Sequence, residues 1–157
     1  MARAKGPAPS SALASRRMRN TPTRDTPAEL AIRRILYASG LRYRVDVRPE
    51  PEIPRKADIV FFRARVAVFI DGCFWHGCPE HGSSPKANAE WWRQKLGTNA
   101  ERDRDTDARL RAAGWMVIRI WEHEPAAQAA NGLIRAVEAK RGAALGNQKA
   151  LVGTPHV

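Results

Sequence analysis

Residues 58–81 read D-I-V-F-F-R-A-R-V-A-V-F-I-D-G-C-F-W-H-G-C-P-E-H, and the fold turns on how this stretch is read. Two short runs rich in β-branched and aromatic side chains, 57–62 and 66–70, flank Arg63-Ala64-Arg65. Their length and spacing predict an antiparallel hairpin buried on both faces. Asp58 opens the first run and Asp71 follows the second. A two-residue turn would set Asp58 opposite Asp71, and a three-residue turn would set it opposite Ile70. Either register brings the Asp58 carboxylate to the Ile70–Asp71 backbone, with facing Cβ atoms ~5 Å apart. Two carboxylates so close repel each other. A divalent cation between them removes the conflict, and oxygen donors suit Mg²⁺. The competing account has both aspartates solvated at opposite-facing strand ends.

The second half of the stretch changes character. Cys73-x4-Cys78-x2-His81 offers three soft or borderline ligands from a Gly- and Pro-rich loop with no apolar pattern of its own. A closed structural zinc site takes four. His76 lies inside the loop, His123 just after a later apolar run, and His156 near the end of the chain. His123 is the better fourth ligand, because it would tie the loop to the sheet and leave His76 for proton transfer. Without a metal these are two ordinary thiols and surface histidines. Phe74-Trp75 and Trp91-Trp92 are the other conspicuous residues. Aromatic side chains can wedge between base steps of a duplex, or simply pack around the loop. Adjacent Trp91 and Trp92 cannot share one helix face, so at least one should be exposed or at an interface.

Working outward, the 157-residue chain suits one domain with a real core. Its 27 Lys+Arg against 16 Asp+Glu give a formal charge of +11, which favours a polyanionic partner, although an Arg-rich coding bias produces the same balance. Two cysteines are no disulfide framework. The N-terminal residues hold no apolar signal core, and no run approaches the ~20 apolar residues of a membrane span. A cytoplasmic protein with reduced thiols is therefore expected, with no membrane partner.

Residues 1–24 read as a flexible basic arm, 25–141 as the folded domain, and 142–157 as a disordered tail. Thr26-Pro27-Ala28-Glu29 is a capping box with proline at the first helical position, and Gly40 ends that helix. Residues 41–47 alternate as a half-buried strand does. Asn88 should cap a short helix that ends at Gly97, and a second helix should run to 113. On it Asp103, Thr106 or Asp107, and Leu110 share a face, so Asp103 should lie towards the body of the domain. A core strand over 115–121 and a helix over 126–141 complete an α/β fold, a mixed central sheet flanked by helices.

At Gly72–His76 the chain resembles the very short patch repair (Vsr) DNA mismatch endonucleases. The likeness extends through R-R-M-R-N-T-P-T-R-D-T-P-A-E-L, D-G-C-F-W-H-G-C-P-E-H, W-W-R-Q-K-L-G-T-N-A-E-R-D-R-D and G-W-M-V-I-R-I-W-E-H. It implies a restriction-endonuclease-like (PD-(D/E)xK) fold with a structural zinc, held by Cys73, Cys78, His81 and His123. It also implies Mg²⁺-dependent nicking of one strand 5′ to the thymine of a T:G mismatch, the lesion left by deaminated 5-methylcytosine. By the same resemblance Asp58 binds the Mg²⁺, Ile70 offers its main-chain carbonyl to it, His76 is the essential histidine and Asp103 its partner. Glu29 contributes to the site in competition with its capping role, and Phe74, Trp75 and Trp92 wedge into the DNA. The best-known members have histidine where this chain has Asp71, which leaves Asp71 as a catalytic carboxylate or a second Mg²⁺ ligand. The expected partner is double-stranded DNA carrying the mismatch, bound by a monomer, with mismatch-repair proteins as further partners. Two other readings remain: a restriction or phage-defence nuclease cutting matched DNA, and an inert zinc-containing DNA-binding module.

Overall fold

The computed structural model describes residues 22–82 and 85–151, together with Ala8, Ala12, Leu13, Arg16 and Asn20. The described elements are α1 (Pro27–Ala38), β1 (Arg44–Val47), β2 (Ala57–Phe61), β3 (Val66–Asp71), α2 (Ala89–Ala112), β4 (Met116–Trp121) and α3 (Ala126–Leu151). The four strands form one sheet in the order β1-β2-β3-β4. The first two pairings are antiparallel, and β3 pairs with β4 in parallel. The expected mixed α/β sheet flanked by helices is what the chain forms. Most of the basic arm falls outside the described residues, as do the last six residues of the tail.

Both faces of the hairpin are covered, which is why its strands read as continuous apolar runs. Ile59, Phe61, Val66, Val68 and Ile120 pack under α1 and α3 with Ile32, Leu36, Leu133 and Val137. Val60, Ala67 and Phe69 pack on the other side with Leu110 of α2 and with Trp115. Successive residues of β3 thus alternate between two cores, as the two-residue period of a strand requires.

Helix ends follow local chemistry. Thr26 accepts the Glu29 amide at 3.3 Å through its hydroxyl. The Glu29 carboxylate departs from a capping box, reaching past the cap to the Asp25 amide at 2.9 Å. Gly40 and Gly114 have left-handed backbones (φ 84° and 89°) directly after α1 and α2. Leu41 N–H to Leu36 O and Trp115 N–H to Leu110 O, at 3.1 and 3.0 Å, close both ends in Schellman fashion.

Several boundaries correct the sequence reading. The hairpin loop has four residues, not two or three. Its Arg65 is left-handed (φ 54°) and donates its amide to Phe62 O. The register Ile59↔Val68, carried one step further, sets Asp58 opposite Phe69 rather than Ile70 or Asp71. Arg65 tolerates this backbone because its side chain is held by Glu50 and by the Ala113 carbonyl, and lies over the Trp115 ring. Asn88 stands at the start of α2 in a left-handed conformation with no side-chain cap bond. Helix α3 continues past Arg141 to Leu151, since Ala143, Ala144 and Leu145 favour helix more than the glycines oppose it.

Gly97 does not interrupt α2, which runs 24 residues without a break. A glycine inside a helix weakens it by ~0.5–1 kcal/mol relative to alanine, which is less than the packing that holds α2 in place. Nothing lies within 4 Å of a Cβ built at Gly97. Gly97→Ala should therefore raise the thermal midpoint by ~2–5 °C. An unchanged or lower midpoint in a calorimetric scan would mean that α2 needs the glycine's freedom.

Candidate active site and metal centre

The parallel pairing of β3 with β4 builds the site. Asp71 lies in register with Trp121, so two residues further on Cys73 and His123 leave the same sheet edge side by side. Cys73 Sγ is 3.1 Å and Cys78 Sγ 3.7 Å from His123 Nδ1. Ligand atoms of Cys73, Cys78, His81 and His123 all lie within 4.8 Å of one another. These are the four residues expected from the sequence. Tetrahedral Zn–S and Zn–N bonds of ~2.3 and ~2.0 Å place ligand atoms roughly 3.3–3.8 Å apart, so the cluster fits such an ion. Burial and the adjacent Cys78 push the Cys73 thiol up to about 11. Glu80 meets His123 Nε2 at 3.4 Å, orienting the ring with Nδ1 towards the sulfurs. The His81 amide points at Cys78 Sγ at 3.4 Å.

Between the knuckle and the helices lies a cleft of about 660 Å³, lined among others by Glu29, Asp58, Ile70, Asp71, His76 and Asp103. Five of the expected catalytic residues and Ile70 thus share one cavity. Asp58 Oδ2 accepts the Ile70 amide at 2.6 Å. The carboxylate reaches the Ile70 backbone as expected, although the register differs. Burial raises the Asp58 pKa to about 6 against the help of the Ile70 amide, and Glu29 and Asp71 add to the rise. Asp58 is a half-buried carboxylate without a cationic partner among the described residues. That is the environment a metal cation would satisfy. Glu29, 3% exposed, is tied instead to Arg33 at 2.9 Å.

His76 Nδ1 meets Asp103 Oδ2 at 2.5 Å, with Asp71 Oδ1 3.7 Å away. The Asp103 hydrogen bond raises the His76 pKa against burial, with Asp71 assisting. For Asp103 burial works upward, but the His76 bond and the charges of His76 and Arg119 hold its carboxyl below the usual range. The imidazole is therefore oriented through Nδ1, which leaves Nε2 for proton exchange. Loop and helix are further joined by Asn99, whose amide donates to the Trp75 carbonyl at 3.1 Å.

Asp71 does not present itself as an open second Mg²⁺ ligand. Arg119 Nη1 donates to both of its oxygens, at 2.9 and 3.1 Å. The same guanidinium grips Asp107 through Nε and Nη2, approaches Asp103, and lies over the Phe69 ring. Sequence reasoning missed Arg119, although an arginine inside M-V-I-R-I-W was a signal. A charge in a strand covered on both faces must meet carboxylates. Glu122 was missed as well; its Oε1 accepts the Cys73 amide at 2.9 Å. Arg119→Met should destabilise the protein by ~3–5 kcal/mol, because Asp71 and Asp107 would be left partly buried without a cation. A chemical-denaturation midpoint close to the wild-type value would show that solvent reaches those carboxylates after all.

Phe74, Trp75, Trp91 and Trp92 form one aromatic cluster beside the cleft. Trp92 packs on Phe74 at 5.2 Å, on Trp75 at 5.8 Å and on Trp91 at 4.7 Å between ring centroids. Trp91 and Trp92 are both half-buried rather than exposed, because the loop aromatics pack against the first turn of α2.

Comparison with known proteins bears on this arrangement. A family model described as DNA mismatch endonuclease Vsr matches residues 10–81. The Type II nicking enzyme V.NaeI of Lentzea aerocolonigenes is 48% identical over 120 residues, which cover 75% of this chain and 72% of that protein. The Type II nicking enzyme V.NmeDIP of Neisseria meningitidis serogroup C is 37% identical over 109 residues, 68% of this chain and 72% of that protein. The DNA mismatch endonuclease Vsr of Escherichia coli (strain K12) is 37% identical over 112 residues, covering 69% and 68%.

Proposed function

The chain belongs to the Vsr family of DNA endonucleases, and from that premise we propose that it nicks one strand 5′ to the thymine of a T:G mismatch, with Mg²⁺ in the cleft and Zn²⁺ in the knuckle. The observation that carries this reading is the His76–Asp103 pair set beside the unpaired Asp58 carboxylate in one cleft. A restriction-endonuclease-like ancestry of the sheet belongs to the same proposal. So do its action as a monomer on double-stranded DNA and a nucleoid-associated location with mismatch-repair proteins nearby. No helix among the described residues is long and apolar enough to cross a membrane.

In this mechanism Asp58 would hold the Mg²⁺, with the Ile70 carbonyl as a further donor. When bound, that ion neutralises phosphate charge and lowers the pKa of a coordinated water. His76, fixed by Asp103, moves a proton at Nε2 during attack on the scissile phosphate. Asp71 acts through its contact with His76 and its salt bridge to Arg119, as a positioning residue. Glu29 lines the same wall of the cleft and sets the start of α1 through Arg33 and the Asp25 amide. Arg55, Lys56, Lys95 and Arg102 on the rim supply phosphate contacts. Phe74, Trp75 and Trp92 insert beside the mismatch, exchanging contacts within their cluster for stacking on bases.

A second reading keeps the nicking chemistry and drops the mismatch requirement. It is favoured by the 48% identity to a relative named as a Type II nicking enzyme. One assay separates the two. End-labelled duplexes, matched or carrying a single T:G pair, are incubated with the protein in Mg²⁺ or EDTA. Mg²⁺-dependent nicking confined to the thymine strand supports the mismatch reading. Equal nicking of matched duplex supports the second. Binding without cutting would return the chain to the inert DNA-binding module.

A further inference from the structure

A second concavity, of about 570 Å³, lies away from the cleft. It is walled by Arg42 just before β1, Arg44 at its start, Arg63 at the hairpin tip and Arg141 from α3, with Tyr43 and Phe62 between them, and no acidic residue among the described residues lines it. All four arginines are exposed, and none makes an ion pair among the described residues. The catalytic cleft differs, since its cations are interleaved with Glu29, Asp58, Asp71, Asp103 and Glu122. Arg42 is held by the Tyr37 and Leu41 carbonyls and the Tyr37 ring, yet four guanidinium groups without a carboxylate partner around one hollow still repel each other. Anionic oxygens between them would remove that repulsion, and the planar fork of arginine matches phosphate.

The position of the hollow says which phosphates. Asp71 ends β3 at the cleft, and Val66 begins β3 at the hairpin tip. Six residues of strand separate the two sites by ~17 Å. Helix α1 gives the same answer independently. Its first turn borders the cleft and Gly40, just after its last turn, borders the hollow, so twelve helical residues span ~18 Å. A duplex carries a backbone charge per ~1.7 Å of axis, so this span is about five base pairs.

We infer that the Arg42–Arg44–Arg63–Arg141 hollow is a second DNA site, which takes backbone phosphates about five base pairs from the scissile bond of the same duplex. It adds affinity and register without reading sequence, since phosphate contacts carry no base information. The inference rests on the duplex being the substrate, as proposed above.

The test is an Arg44→Ala/Arg63→Ala double variant of the full chain, with Arg44→Lys/Arg63→Lys as the charge-preserving control. Binding is followed by fluorescence anisotropy in EDTA from about 50 to 200 mM salt, on duplexes of about 8 and about 30 base pairs centred on the nick site. For the long duplex, the slope of log K against log salt should shrink by about 1.8, with affinity falling roughly tenfold or more near 0.1 M salt. Binding of the short duplex should be unchanged, and the lysine control should restore most of the slope. An alanine variant with the wild-type slope on the long duplex overturns the inference. So does loss of poly-glutamate binding alone, which would assign the hollow to an acidic protein instead. A wild-type protein that neither binds nor nicks duplex DNA would instead overturn the proposed function, and the two failures are distinct.

Discussion

Asp58→Asn is expected to abolish strand cleavage, by at least ~10³-fold, in a protein that folds as before. Asparagine has the shape of aspartate, and its carbonyl oxygen can still accept the Ile70 amide that Asp58 Oδ2 accepts at 2.6 Å. What it lacks is the negative charge that would hold Mg²⁺. The stability consequence has a definite sign. Burial raises the folded-state pKa of Asp58 from 3.8 to about 6. A raised carboxyl pKa contributes stability that is complete below the unfolded value and is lost as pH rises through the folded one. Asparagine suffers no such loss. In EDTA at pH 8 the variant should therefore melt at or above the wild-type midpoint, and the advantage should vanish as pH falls towards 4. Added Mg²⁺ at pH 8 should raise the wild-type midpoint and leave the variant's unmoved, because a ligand stabilises only the state that binds it. Cleavage at an undiminished rate would remove Asp58 from the metal site. A variant melting far below wild type would show that the charge holds the fold.

The strands and helices were legible because each carried its own local signal. Thr26-Pro27 and Gly40 bracket α1 through a hydroxyl cap and a left-handed terminus, both properties of single residues. The double burial of β2 and β3 was written in their unbroken apolar runs. Gly97 misled because its cost is real but small, and packing of the Asn99, Thr106 and Leu110 face overrode it. The hairpin turn misled for the opposite reason. Its left-handed position is occupied by Arg65 rather than glycine, and the groups that hold it there, Glu50, Ala113 and Trp115, come from elsewhere in the sequence.

The site was legible in its members and much less so in their wiring. Spacing alone put Cys73, Cys78 and His81 together, and the parallel register of β3 with β4 explains why His123 joins them. Helical periodicity turned Asp103 inward, where it meets His76. Nothing local indicated that Asp71 is claimed by Arg119, because that pairing needs β4 beside β3 and α2 above both. Strand alternation holds the key here. Phe69 and Asp71 share a face with Arg119, and that face looks towards Asp103 and Asp107. The chain thus has a carboxylate–guanidinium pair at Asp71.

Removing the knuckle metal should be the most damaging change to the fold of the site. Elemental analysis of the purified protein should find about one zinc per chain, and a strong chelator should strip it. Binding of structural zinc is worth on the order of 10 kcal/mol, and that free energy is folding free energy for the loop that supplies the ligands. The loop carries Phe74, Trp75 and His76, so stripping should lower the thermal midpoint by more than ~10 °C and abolish nicking together. Restoring zinc, and not Mg²⁺, should recover both. Cys78→Ser should behave like the stripped protein. Gly82→Ala gives an independent check that touches no ligand. A Cβ there would stand 2.4 Å from the Cys78 carbonyl oxygen, which already accepts the Gly82 amide at 2.8 Å. The turn must open to admit it, which moves His81 away from Cys78, so zinc content and midpoint should fall in this variant too. A fully active, zinc-free preparation with an unchanged midpoint would show that the four residues meet without a metal to hold them.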